Sequence, residues 1–419
     1  MKIVVYPHDL GIGGSQLNAI ELAAAVRDLG HSVVVFGRPG ALVARVHELG
    51  LEFVEAPKPG KRPSPAVARA LADLVDERGI ELLHGYEWPP ALECALAARM
   101  RPGVASMSTV MSMSVPGFIP RTQPLVVGTE QIAADEHRRG RRAAVVIEPP
   151  VDLASNNPGL DVGVDDFRRR FGIDPGRPVI VSVTRFAHEL KLEGTLAAID
   201  AVHDLAGDGA AAPQLVLVGD GPARAEVEER VRRAAARTGR AAVTLTGQIA
   251  DPRPAYAAAD IALGMGGSAL RALAFGKPLV VQGEQGYWKL LTPETLDEFL
   301  WQGWYGVGAD PARGGAALRD ILKPLIGDPL RRRELGRFGL ETIENRFALT
   351  AAAVRQEQFY RDAIAGRPSP LRSAASEAAA LGRYGRYYAA KRVRRALGRE
   401  RSDDFNARPV AGRLAATSR

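Results

Sequence analysis

The sequence predicts two Rossmann-like, doubly wound α/β domains facing a cleft, with a basic tail behind them. Three observations carry this expectation. At 419 residues the chain exceeds what one compact core usually holds and suffices for two domains of ordinary size. Apolar runs of strand length alternate with helical runs from the first residues onward, the pattern of parallel strands joined by crossover helices. A polar, turn-rich stretch at 152–164 interrupts that alternation, which then begins again. With 46% apolar and 25% charged residues, the composition is that of a globular chain rather than a disordered one.

In the first block, 1–150, residues 2–6 read as a strand, 16–29 as a helix, 32–36 as a strand, 42–49 as a helix and 53–55 as a strand. Further strands are expected at 81–84, 104–109, 124–128 and 144–147, and the sheet should close near Pro149-Pro150. The second block, 151–365, has strands at 178–184, 214–218, 243–246, 261–263 and 279–282. Its helices fall at 193–205, 223–237, 255–259 and 268–274, and a last helix at 350–364 is expected to cross back to the first domain.

Charge separates the tail from the body. The formal charge is +7, yet residues 366–419 hold 13 Lys and Arg against 4 Asp and Glu, which leaves residues 1–365 at −2. A body of that charge with no recognisable module argues against nucleic acid as partner. Leu381, Tyr384, Tyr388 and Leu397 fall near one helical face, among Lys391, Arg392, Arg394, Arg395 and Arg399. A short basic amphipathic helix on an anionic membrane surface is one reading; a solvated, disordered tail is the plainer one. The single cysteine, Cys94, cannot form an internal disulfide, and neither a signal peptide nor a membrane-spanning apolar run is evident. The expected location is cytoplasmic, with a peripheral place at the membrane left open by the tail.

In doubly wound domains ligands bind beyond the carboxyl ends of the strands, so the loops there are the candidates. The first such loop carries Gly11, Gly13 and Gly14 before a helix that Ser15 can cap, an arrangement open to an anion or to nothing at all. It departs from the dinucleotide fingerprint. In the second block Arg185 and Lys191 flank one strand-to-helix turn, where two cations suit a pyrophosphate. The competing reading makes both solvated charges, one paired with Glu189. Two further glycine turns follow, Gly219-Asp220-Gly221 and Gly264-Met265-Gly266-Gly267-Ser268, the latter a second candidate anion cradle. His84 ends a strand and reads equally well as a core histidine with satisfied ring nitrogens. The one Asp-rich piece, 161–166, lies in the linker and reads as surface rather than as a metal site.

The order of these segments resembles the family-4 glycosyltransferases of the GT-B fold over roughly 1–360, most strongly over 181–282. The turn with Arg185 and Lys191, the Val-Gly-Asp-Gly-Pro turn, the Thr-Gly segment, the Ala-Ala-Asp before a strand and the Ala-Phe-Gly-Lys-Pro ending recur in sequence. The resemblance implies retaining transfer from a nucleoside-diphosphate sugar bound mainly by the second domain, to a small-molecule or glycan acceptor on the first, with no metal or other cofactor. It makes Arg185 and Lys191 the phosphate clamp. Gly13, Gly14, Gly219, Gly221 and the 264–268 loop become donor-side backbone, and His84 a residue near the cleft. One departure is serious: where the family carries two glutamates eight positions apart, this chain has Leu263 and Arg271. A first-domain histidine is also missing, that stretch reading Ser108-Thr109-Val110-Met111-Ser112. Glu87, counted with His84 as catalytic, and Glu284 are the carboxylates available to substitute. The alternative is a catalytically weak or non-catalytic scaffold that binds a nucleotide sugar or a partner enzyme.

Overall fold

The computed structural model describes residues 1–206, 212–397, 405–406 and 409–410. The chain forms two compact units, one of 1–150 with 349–410 and the other of 151–348.

The first unit contains β1 (Lys2–Tyr6), α1 (Gly14–Asp28), β2 (Ser32–Gly37), α2 (Val43–Glu48), β3 (Glu52–Glu55), α3 (Pro65–Arg78), β4 (Leu82–Tyr86) and α4 (Trp88–Met100). It continues through β5 (Ala105–Val110), β6 (Leu125–Val127), α5 (Glu130–Arg138) and β7 (Ala144–Val146). All seven strands run parallel in the order β3-β2-β1-β4-β5-β6-β7. Central strands with helices on both faces are covered on both sides, which is why 3–6 and 82–86 are buried without alternation. Ile3 and Val5 pack toward Ile20 and Leu22 of α1, while Val4 and Tyr6 pack toward Leu71 and Leu74 of α3 and Cys94 of α4.

The second unit begins with turns and then α6 (Val164–Phe171), β8 (Val179–Val183), α7 (Leu192–Ala206), β9 (Gln214–Val218), α8 (Arg224–Thr238) and β10 (Val243–Gly247). There follow α9 (Arg253–Ala258), β11 (Ile261–Gly264), α10 (Gly267–Ala274), β12 (Leu279–Gln282), β13 (Trp288–Leu290), α11 (Leu296–Gln302), α12 (Gly314–Gly327) and α13 (Pro329–Arg346). The sheet order is β10-β9-β8-β11-β12-β13, parallel except for β13, whose short return against β12 the sequence reading lacks. Ile199, Val202, Val227 and Leu322 cover one face of this sheet, and Leu270, Leu273 and Ile343 cover part of the other.

The chain then returns to the first unit. α14 (Leu349–Ala365) brings Ala352, Ala353 and Tyr360 into the core beside α1, so this last helix of the 151–365 block crosses back to the first sheet. α15 (Pro370–Ala396) is 27 residues long, neither a short helix nor a disordered tail. Its buried face also differs from the expected one. Ala380 is fully buried, and Tyr384 and Tyr387 pack on Phe118, whereas Leu381, Tyr388 and Leu397 are exposed. Packing against 117–122 selects that face: Arg383 Nε donates to Gly117 O at 2.6 Å, and the Thr122 N–H donates to Ser376 Oγ at 3.3 Å. Arg399 lies outside the described residues.

Candidate functional site

Each sheet has one place where the strand order reverses direction, between β1 and β4 in the first unit and between β8 and β11 in the second. At such a switch point the neighbouring loops part and leave a crevice beyond the carboxyl ends.

In the first unit Glu87 organises that edge. It follows β4, is half-buried, and accepts hydrogen bonds from Ser15 Oγ (3.3 Å), the Met111 N–H (2.9 Å) and Ser112 Oγ (2.8 Å). One carboxylate thereby ties together the loops after β1, β4 and β5. Ser15 does this instead of capping α1, whose N-cap is Gly13. Beside them His8 Nδ1 lies 2.6 Å from Asp9 Oδ2, while Asp9 Oδ1 accepts the Gly11 N–H at 2.9 Å. That hydrogen bond with His8 holds the Asp9 carboxyl below its usual range. Sequence reasoning quoted this loop for its glycines and missed the pair. Gly14 has nothing within 4 Å of where a Cβ would stand, so neither packing nor conformation demands a glycine there.

His84 does not belong to this edge. The parallel register of β4 between β1 and β5 buries it fully, with Nδ1 2.8 Å from Tyr360 Oη and Nε2 2.7 Å from Thr109 Oγ1. Burial lowers its pKa to about 3. It is a core histidine whose ring nitrogens are both engaged, the second of the two readings that the sequence allows.

In the second unit the turn after β8 carries Arg185, exposed, and Lys191, half-buried. Desolvation is what acts on the Lys191 charge. Burial pushes the Lys191 ammonium down to about 8. The turn is held firmly: Thr184 and Phe186 donate their N–H groups to Val218 and Asp220 carbonyls at 2.9 Å, and Gln282 Nε2 donates to Lys191 O at 3.0 Å. Gly219 and Gly221 serve this packing. A Cβ on Gly219 would stand 1.8 Å from Thr184 O and one on Gly221 2.5 Å from Phe186 O. Both glycines let the turn after β9 back closely onto the cationic turn.

Beside β8, the loop after β11 runs through Gly264, Met265, Gly266, Gly267 and Ser268 into α10. The Ser268 hydroxyl donates to Met265 O at 3.0 Å, and the Gly266 N–H donates to Trp304 O at 3.0 Å. Arg271 folds back over the first turn of this helix, its Nη1 3.5 Å from where a Cβ on Gly267 would stand. A cation at the positive end of a helix adds to the field there rather than cancelling it, and the combination favours an anion. Leu263 is core. After β12, Glu284 accepts the Tyr305 hydroxyl at 2.6 Å, and Glu193 accepts the N–H groups of Gln285 (3.1 Å) and Gly286 (2.6 Å). The role of Glu193 left no sequence signal beyond its place at the start of a helix. Among the described residues no cluster of three His, Cys, Asp or Glu could hold a metal ion.

Backbone strain marks the same loops. Five non-glycine residues have positive φ among those described: His8 after β1, Glu87 after β4, Leu190 after β8, Gln285 after β12, and Trp304, which holds Gly266. Such conformations cost on the order of 1–3 kcal/mol each and persist where surrounding contacts impose them, commonly at functional sites.

Comparison with known families bears on both edges. Residues 13–183 match the glycosyl transferase 4-like domain, and residues 177–298 match the family of glycosyl transferases group 1. The chain belongs to the GT-B glycosyltransferases of the family-4-like kind. The glycosyltransferase resembles a glycosyltransferase from Rickettsia africae with TM-score 0.67 at 16% identity, over 87% of this chain and 98% of that one. It resembles Anabaena HepE in complex with UDP-glucose with TM-score 0.67 at 15% identity, over 85% and 98%. The N-terminal domain of Candida albicans trehalose-6-phosphate phosphatase shares the fold too, with TM-score 0.60 at 11% identity over 85% and 96%. Likenesses at these identities establish the fold alone. No curated protein matches the glycosyltransferase. No helix among its described residues is long and apolar enough to cross a membrane.

Proposed function

We propose that this glycosyltransferase moves a sugar from a nucleoside-diphosphate donor, held chiefly by the second unit, to an acceptor on the first, with retention of anomeric configuration and without a metal ion. The observation that carries this reading is Lys191, a half-buried ammonium whose charge burial disfavours, on one turn with Arg185 and beside the loop bearing Arg271. Charge accumulates on the diphosphate as the glycosidic bond breaks, and fixed cations there stabilise the transition state more than the ground state. The neighbour solved with UDP-glucose supports a nucleotide sugar as the donor class. The enzyme would work in the cytoplasm, either free or against the membrane face.

Arg271 supports a second reading, that of a weakly catalytic or non-catalytic scaffold that binds nucleotide sugar. A guanidinium donates to ribose hydroxyls but cannot accept from them. A screen of UDP-, GDP-, ADP- and dTDP-sugars in EDTA, with NMR of the product anomer, tests both. Turnover with inversion, or only with added divalent ion, sinks the proposed mechanism; tight binding without turnover of any donor leaves the scaffold.

A further inference from the structure

The same edge of the first sheet carries a second recess, about 420 Å³ in volume, between the loop after β3, the start of α4 and the C-terminal half of α15. Five cations line it, Lys61 and Arg62 from the loop and Lys391, Arg392 and Arg395 from the helix. Its remaining wall is aromatic. Trp88 and Tyr384 lie 5.7 Å apart between ring centroids, Tyr384 and Tyr388 stack at 6.2 Å, and the Arg392 guanidinium sits 5.5 Å from the Tyr388 ring.

The wall is built, not incidental. Arg62 Nη1 donates to the buried Glu93 carboxylate at 2.6 Å and to Tyr6 Oη at 2.8 Å, which fixes it, and the Tyr384 hydroxyl donates back to Arg62 O. Trp88 directly follows Glu87, so the recess adjoins the first unit's candidate site. Flat rings offer stacking faces to a sugar ring, and clustered guanidinium and ammonium groups match phosphate oxygens. The volume suits one such group.

We infer that this recess anchors the acceptor through a phosphate ester next to a ring, so that the tail helix makes the enzyme selective for phosphorylated acceptors. The inference deepens the proposed transferase function and rests on it. The phosphate can come from a soluble sugar phosphate or from a phospholipid headgroup, and the two sources separate experimentally.

The full-length chain is titrated with glucose 1-phosphate and sedimented with phosphatidylglycerol or phosphatidylcholine vesicles, with UDP titrated alongside. The parent is compared with Lys391→Gln/Arg392→Gln, both changes on the protein surface, and with Tyr388→Ala. Sugar-phosphate binding that falls at least tenfold in the double variant and several-fold in Tyr388→Ala, with UDP affinity retained, supports the recess with a soluble ligand. Retention on phosphatidylglycerol but not phosphatidylcholine, lost in the same variants, supports it with a lipid headgroup. Binding of neither, or equal binding by parent and double variant, overturns it. Failure of the parent to bind any nucleoside diphosphate strikes the transferase reading instead and is scored separately.

Discussion

Arg185 and Lys191 stand on one turn, and their removal measures what the second sheet's edge offers an anion. The double change to Ala is expected to weaken nucleoside-diphosphate binding by about 2 to 5 kcal/mol in calorimetric titration. Lys191 adds a pH signature. An anion favours the ammonium and raises its pKa in the complex, so affinity should be flat below about pH 8 and fall, by up to about tenfold per unit, above it. An affinity indifferent to pH between 7 and 9.5 would remove Lys191 from the site. Arg271→Glu should alter donor affinity or donor preference; a flat response across the donor screen would favour the scaffold. Buried His84 bears on stability. An unfolded histidine titrates near 6.5 and the folded one near 3, so the unfolded chain binds the extra proton below 6.5. Stability is therefore intact above 6.5 and declines as pH falls toward 3, by up to about 1.4 kcal/mol per unit. Urea midpoints at pH 7.5 and 5 should converge in His84→Gln relative to the parent. The cationic turn was legible in the sequence because charge on a strand-to-helix loop is a local signal. His84 was left evenly between core and cleft, since its partner Tyr360 comes from a helix 276 residues further on.

The glycines of the two edges should behave oppositely. Gly219→Ala places a methyl 1.8 Å from a backbone oxygen at φ +147, and should lower the urea midpoint and loosen the turn carrying Arg185, at a cost of about 2 kcal/mol or more. Gly14→Ala meets open space in the first turn of a helix and should leave the thermal midpoint level or slightly raised. If it also weakens ligand binding, the missing Cβ serves a ligand. Strands were the legible elements, because buried parallel strands are short apolar runs with turn residues at both ends. The helices α3, α4 and α5 were missed although strands were read on both sides of each, and α12 and α13 lie beyond the last strand that was read. Glu87 shows the limit of pattern reading: it was named as catalytic and as a substitute carboxylate with nothing to place it, and its three donors come from 24 to 72 positions away.

Tail and body were separable by charge in the sequence but are joined by packing. A chain ending at Gly366 would uncover Trp88 and Phe118, whose rings meet Tyr384 and Tyr387 of α15. Its first unit should unfold at lower temperature while UDP binding, proposed for the second unit, persists; an unchanged melting curve would return the tail to the role of a solvated appendage. The interrupted course of the chain also sets a clock during synthesis. The ribosome delivers the first sheet, then the whole second unit, and only then Tyr360, which His84 has awaited across 276 residues. At about 5–20 residues per second that interval is roughly 15 to 55 s. The nascent first unit spends it with the α14 face of its sheet uncovered, so chaperone capture and protease sensitivity should peak there and end as α14 emerges.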